Sequence, residues 1–116
     1  MAPTFRPIEP RAIEAARPAM LTGAAERQSR RLIATICDPT RIAILRALRR
    51  TPLAASDLAH VIGRTRSATS QHLRVLRELD AVVPERRGNV IRYRLAGSLT
   101  AQVLTEIASA FDKLAA

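Results

Sequence analysis

A chain of 116 residues has room for one compact domain and no second hydrophobic core. Its 47% hydrophobic content argues against wholesale disorder, and it contains no apolar run of about 18 residues that would span a bilayer. Nineteen Lys+Arg against ten Asp+Glu leave a formal charge of +9, a signal of polyanionic partners.

That charge is placed as well as large. Every basic residue except Lys113 is Arg, and between Arg64 and Arg94 there are eight Arg against three acids, Glu78, Asp80 and Glu85. Phe5, Tyr93 and Phe111 are the whole aromatic set. Single strands and RNA loops are gripped by stacking on aromatic platforms, so the expected polyanion is double-stranded DNA. Pro and Arg interrupt the N-terminal stretch, leaving no apolar segment of the secretory kind, and a cytoplasmic location is expected. Cys37 is the single cysteine, which excludes an intrachain disulfide.

In chain order, residues 1–22 read as an N-terminal extension punctuated by Pro3, Pro7, Pro10 and Pro18, with a short helical turn over Arg11–Arg17. The folded domain is expected over 23–116. Its first amphipathic helix runs over Ala24–Ile36, with Leu32, Ile33 and Ile36 on one side. Asp38 then caps and Pro39 opens a helix to Arg50, carrying Ile42, Leu45 and Leu48 at spacing three. Thr51-Pro52 ends it. A helix over Ser56–Ile62 buries Leu58, Ala59 and Ile62 and stops at Gly63. Thr65 caps the next helix, Arg66–Leu79, and the pair makes a helix-turn-helix. Val82–Arg86, a Gly88-Asn89 turn and Val90–Leu95 read as a β-hairpin. After Ser98, an apolar stripe of Leu99, Val103, Ile107, Phe111 and Leu114 marks a last helix. The expected architecture is mainly α with a small β-hairpin: four helices, the hairpin and a final helix, forming a winged helix-turn-helix.

The Arg66–Leu79 helix divides into two faces. Leu73, Leu76 and Leu79, flanked by His72, point inward. Arg66, Ser67, Ser70, Gln71, Arg74 and Arg77 point outward, without an acid before Glu78. Ser and Arg can hold phosphates, Gln pairs with adenine and Arg with guanine in the major groove. Polar and Arg residues also fill ordinary solvated faces; the preceding helix and the following basic hairpin favour the DNA reading. Arg86 and Arg87 approach the hairpin tip, and Arg92 lies with Arg94 on the return strand. Such a wing lies along the backbone or reaches a minor groove, although Arg92 and Arg94 also fit a half-exposed strand.

From Leu32 to Leu95 the chain resembles the ArsR-type (arsenic-repressor-like) winged-helix regulators. The resemblance is carried by Asp38-Pro39-Thr40-Arg41 with the following ILRAL, by Pro52–Gly63, by Ser67–Glu78 including Ser70-Gln71-His72-Leu73, and by Val90–Leu95. It implies a homodimeric repressor that reads two half-sites of a palindromic operator and leaves DNA on an unidentified signal. It also implies a dimer interface on the first and last helices, here Leu32, Ile36, Leu99, Val103, Ile107, Phe111 and Leu114. Apolar stripes on both terminal helices agree, having more surface than a small core covers, unless they simply complete the protomer core.

The sensing sites implied by the resemblance do not carry over. Ala54 and Ser56 stand where the thiol site needs cysteines, and Ser98–Leu114 offers only Glu106 and Asp112. Neither supplies the N and S donors of a zinc or thiophilic site, so no metal and no cofactor are expected. Asp80 stands where the family commonly has glycine, a position Asp tolerates in the left-handed conformation. Cys37 has two readings: a staple across the helix start onto Ile42, or a redox-responsive thiol near Arg31 and Arg41. His60 and His72 are read as packed or hydrogen-bonded. No phosphate loop, activated nucleophile or paired carboxylates indicate an enzyme; an alternative is an interaction module whose basic face grips an acidic protein.

Overall fold

The computed structural model describes residues 4–115, apart from the side chain of Ile36. The chain divides into two units, one ending at Arg31 and the other beginning at Leu32. In the first unit, helix α1 (Pro10–Ala16) opens with proline at its first position, where a missing N–H costs nothing. A 3₁₀ turn follows over Arg17–Ala19, and α1 buries none of its residues. Helix α2 (Gly23–Ile36) runs through the division between the units.

Helix α3 (Pro39–Arg50) has the bounds its punctuation dictates. Asp38 Oδ1 accepts from the N–H groups of Thr40 at 2.8 Å and Arg41 at 3.3 Å, satisfying donors that the helix start leaves without partners. Strand β1 (Leu53–Ala54) follows, then α4 (Ala55–Ile62) and α5 (Arg66–Glu78). Gly63 takes φ 67°, ψ 39° between α4 and α5, and its N–H and that of Arg64 close on the Ala59 carbonyl. The positive φ makes this the position where glycine is required. Thr65 Oγ1 accepts from Ala68 N–H at 3.1 Å to start α5.

Strands β2 (Val82–Arg87) and β3 (Val90–Leu95) form the hairpin, and α6 (Leu99–Ala115) completes the chain. The sheet order is β1-β3-β2, all antiparallel, with Leu53 opposite Tyr93, Glu85 opposite Arg92 and Arg87 opposite Val90. The sheet is therefore three-stranded. The third strand, the two residues after Pro52, is an addition to the expected hairpin, and α4 starts directly after it at Ala55.

The core of the second unit gathers Ile44, Leu45 and Leu48 from α3, Leu58 from α4, Leu73 and Leu76 from α5, Ala81, Val82, and Leu104 from α6. Each of the larger side chains contributes about 1.5–3 kcal/mol by leaving water. The buried stripe of α6 is Ala101, Leu104 and Ala108, not the stripe the sequence periodicity emphasised. Leu32, expected in a dimer interface, packs half-buried against its own protomer's core. Val103 and Ile107 are also half-buried, whereas Leu99 is 74% and Leu114 83% exposed, with Phe111 exposed as well. The stripe does not simply complete the protomer core; its two ends stand open. Ile36 lies outside the described side chains.

Candidate nucleic-acid interface

Why does α5 expose the residues it does? Leu73 and Leu76 recur at spacing three and are drawn into the core, so the opposite arc must face outward. Ser67, Ser70, Gln71, Arg74, Arg66 and Arg77 are all exposed. Leu79, at the helix end, is buried as expected. Thr69, on the same helix, is fully buried, and its Oγ1 donates to the Thr65 carbonyl at 2.8 Å. A hydroxyl satisfied by its own helix can enter a core that would reject an unpaired one.

The wing stands beside this face. Gly88 holds φ 62° at the hairpin tip, and the Arg86 Nε–H donates to the Gly88 carbonyl at 3.2 Å. That bond draws the Arg86 stem along the turn while leaving the residue exposed. Between the wing and the N-terminal half of α5 lies a concave groove of about 360 Å³, with Ser56, Arg66, Ser70, Asn89 and Tyr93 among its walls. A second concavity of about 440 Å³ opens at the turn between α4 and α5, lined by Ser56, His60, Arg64 and Arg66 among others. Ser56, Arg64 and Asn89 were not singled out from sequence. They lie in turns or at a helix start, where no periodicity reports which way a side chain points.

Electrostatics separate the cations into two groups. Arg74 lies 3.8 Å from Glu78 and Arg94 lies 3.5 Å from Glu85, both at exposed sites where such pairs are weak. Among the described residues, Arg64, Arg66, Arg77, Arg86, Arg87 and Arg92 have no carboxylate within ion-pair distance. Uncompensated guanidinium groups flanking an exposed helix face form a surface that attracts polyanions. Arg92 sits opposite Glu85 in the ladder, but Glu85 pairs with Arg94 instead.

At the far side of α5, Asp38 is part-buried at the start of α3. Burial is the largest single influence on its carboxyl and works to raise the pKa. The N–H bonds from Thr40 and Arg41, with the electrostatic influence of the neighbouring His72 and Arg41, together outweigh it and hold the group below its usual value. Cys37 is exposed and borders a shallow groove with Pro39, Ile42, Arg46 and Phe111, so its packing onto Ile42 is at most partial.

The implied metal sites do not fit the residues present. Ala54 is in β1 and Ser56 in the first turn of α4. On α6, Asp112 is engaged by Arg46 at 2.7 Å and by Arg49 at 3.7 Å, and Glu106 accepts from Gln102 at 3.3 Å. Among the described residues, no group of three or more His, Cys, Asp or Glu is disposed to hold a metal. No helix among them is long and apolar enough to cross a membrane.

Residues 38–82 match the family model described as bacterial regulatory protein, arsR family. The chain is 46% identical over 71 residues to the HTH-type transcriptional regulator NmtR of Mycobacterium tuberculosis, a match covering 61% of this chain and 59% of that protein. It thus spans under two thirds of that relative's length. An ArsR-like transcriptional regulator from Rhodococcus sp. RHA1 superposes with a TM-score of 0.61 at 31% identity, covering 78% of this chain and 89% of that one. The homodimeric winged helix-turn-helix DNA-binding domain of Mb0332 from Mycobacterium bovis superposes with a TM-score of 0.64 at 23% identity, over 80% of this chain and 92% of that one. This last likeness speaks to the fold: a winged helix-turn-helix, with α4 and α5 as the helix pair and β2–β3 as the wing.

Proposed function

The chain belongs to the ArsR family of bacterial regulatory proteins, and on that premise we propose that it is a transcription repressor binding duplex DNA as a homodimer. The reading is carried by one observation: the outer face of α5 leaves Ser67, Ser70, Gln71 and Arg74 open beside guanidinium groups without carboxylate partners. In this reading α5 enters the major groove, with Gln71 and an Arg of the helix reading base edges. Arg66, Ser67 and Ser70 hold phosphates near the helix start, where free N–H groups add attraction. Arg86 and Arg87 follow the backbone from the wing, and Arg92 reinforces them from β3. A protein acting on chromosomal DNA works in the cytoplasm.

Two-fold pairing through the open ends of the α6 stripe, with α2, gives two α5 helices for two half-sites, so the operator is palindromic. The Mb0332 domain, of the same fold, is homodimeric. The donor sets at the sites the resemblance implies do not suit a metal, and the releasing signal is unidentified.

Selection of preferred duplexes from a random pool tests the reading. Enrichment of a palindrome, followed by gel-shift retention that falls steeply with salt, is the expected result. Binding indifferent to sequence would favour a generic interaction module, and no binding would overturn the proposal.

A further inference from the structure

On the side of α5 that borders the wing, Arg66 and Ser70 stand one helical turn apart, four residues along the same face. Ser56 from the first turn of α4 and Asn89 from the hairpin turn join them in lining the groove of about 360 Å³. Three separate elements thus bring one guanidinium, two hydroxyls and an amide to one concavity. Among the described residues, no protein group is recorded within hydrogen-bond distance of these four side chains, and no residue lining the groove is acidic. The rest of the lining is largely apolar. Ladder partners share a face, and the side carrying Val82 with Leu95 and Pro84 with Tyr93 is the one packed on the core. Ile91, two residues nearer the hairpin tip than Tyr93, continues that side past the end of the core and is 50% exposed. Val90 beside it is 44% exposed.

We infer that this groove is the seat of one phosphate ester: Arg66, Ser56 and Ser70 take the phosphate oxygens, and Val90 and Ile91 take the attached carbon skeleton. The inference deepens the DNA-binding reading and rests on it, because Arg66 and Ser70 belong to the proposed DNA face. A guanidinium matches a phosphate with paired N–H donors, and hydroxyls and the Asn89 amide donate to the oxygens that remain. A bare anion would leave Val90 and Ile91 in water, whereas a sugar phosphate covers them. The same chemistry comes from two sources. One nucleotide of an operator strand presents a deoxyribose and its phosphate side by side, and a free sugar phosphate presents them detached from any strand. A cleft of this volume is large enough for such a molecule. Since the groove shares its cation with the DNA face, a free ester seated there and a duplex exclude each other. A phosphorylated small molecule is therefore the class of signal this groove admits, and its release of DNA needs no metal donors.

The test titrates the full chain, followed by amide NMR at constant ionic strength, with 2-deoxyribose 5-phosphate, inorganic phosphate and 2-deoxyribose. The sugar phosphate is expected to move the Ser56, Ser70, Asn89 and Ile91 resonances together. It should bind about tenfold more tightly than inorganic phosphate, the equivalent of about two buried CH₂ groups. In parallel, the preferred duplex is scanned with single methylphosphonate linkages against the wild type and against the chain carrying both S56A and N89A. A strand seated in the groove shows as one linkage per half-site whose neutralisation weakens the wild type and has no further effect on the doubly substituted chain. Saturating shifts in the groove, with displacement of duplex by the sugar phosphate, assign the seat to a free ester. The linkage result without them assigns it to the DNA strand, and either result supports the seat. Absence of both overturns the inference, and retention of duplex by the wild type then leaves the DNA reading standing. If the wild type retains no duplex, the DNA reading fails and the titration alone decides the seat.

Discussion

The Ser98 hydroxyl donates to the Asp80 carbonyl at 2.6 Å and accepts from the Ala101 N–H at 3.1 Å. One side chain therefore ties the turn leaving α5 to the first turn of α6. Asp80 holds φ 63°, the only positive-φ residue other than glycine among those described, so the turn carries local strain. Ser98→Ala is expected to lower unfolding free energy by about 1 kcal/mol through loss of the cap. Asp80→Gly should raise it by up to about 1 kcal/mol by relieving the left-handed conformation. Urea unfolding midpoints at constant m-value check both, and a stabilised Ser98→Ala would contradict the assigned tie.

Gln71 and Arg87 are predicted to differ in kind. Gln71→Ala should cost about 1–3 kcal/mol on the preferred duplex and relax base preference at one position. Arg87→Ala should weaken preferred and random duplexes alike and reduce the salt slope by about one unit. Affinity titrations on both duplexes across salt separate the two outcomes. Wild-type behaviour from both variants would remove α5 and the wing from the interface.

For Asp38, the folded-state pKa lies below the usual aspartate value. A depressed carboxyl stabilises the fold above its unfolded pKa of about 3.9, and that contribution is lost as the pH falls through the lower folded-state value. Asp38→Ala should thus be less stable than the wild type by about 1 kcal/mol near neutrality. The gap should close on acidification below about pH 4. Thermal unfolding of both proteins across that range measures it; a gap independent of pH would contradict the assigned carboxylate contacts.

Leu99 and Leu114 project from α6 with most of their surface open. Replacing either with Glu should leave the protomer folded and weaken self-association by about 1–3 kcal/mol. Sedimentation across a concentration series reads the change. Unaltered association would place the dimer contact elsewhere.

Local chemistry made much of this legible in advance. Asp38-Pro39 and Thr51-Pro52 bracket α3 at Pro39 and Arg50 because both signals act within one or two residues. The outward arc of α5 followed from leucine spacing alone, whereas Asp80 stood out only against the glycine that the family resemblance implies there. What escaped were relations between distant residues. Strand β1 is too short for any period and exists because Leu53 finds Tyr93. The buried stripe of α6 is built from two alanines and Leu104, which a count of large apolar residues passes over. The contact of His72 with Arg41 depends on how α3 and α5 cross.

In the sheet order β1-β3-β2, β3 is covered on both sides and β2 is left at the border, with Pro84 in its middle. Proline offers no N–H to an incoming strand. A slender projecting ribbon would otherwise invite a second ribbon to zip onto it, especially where many copies crowd along one polymer. Its rim is blunted at the point where such pairing would begin.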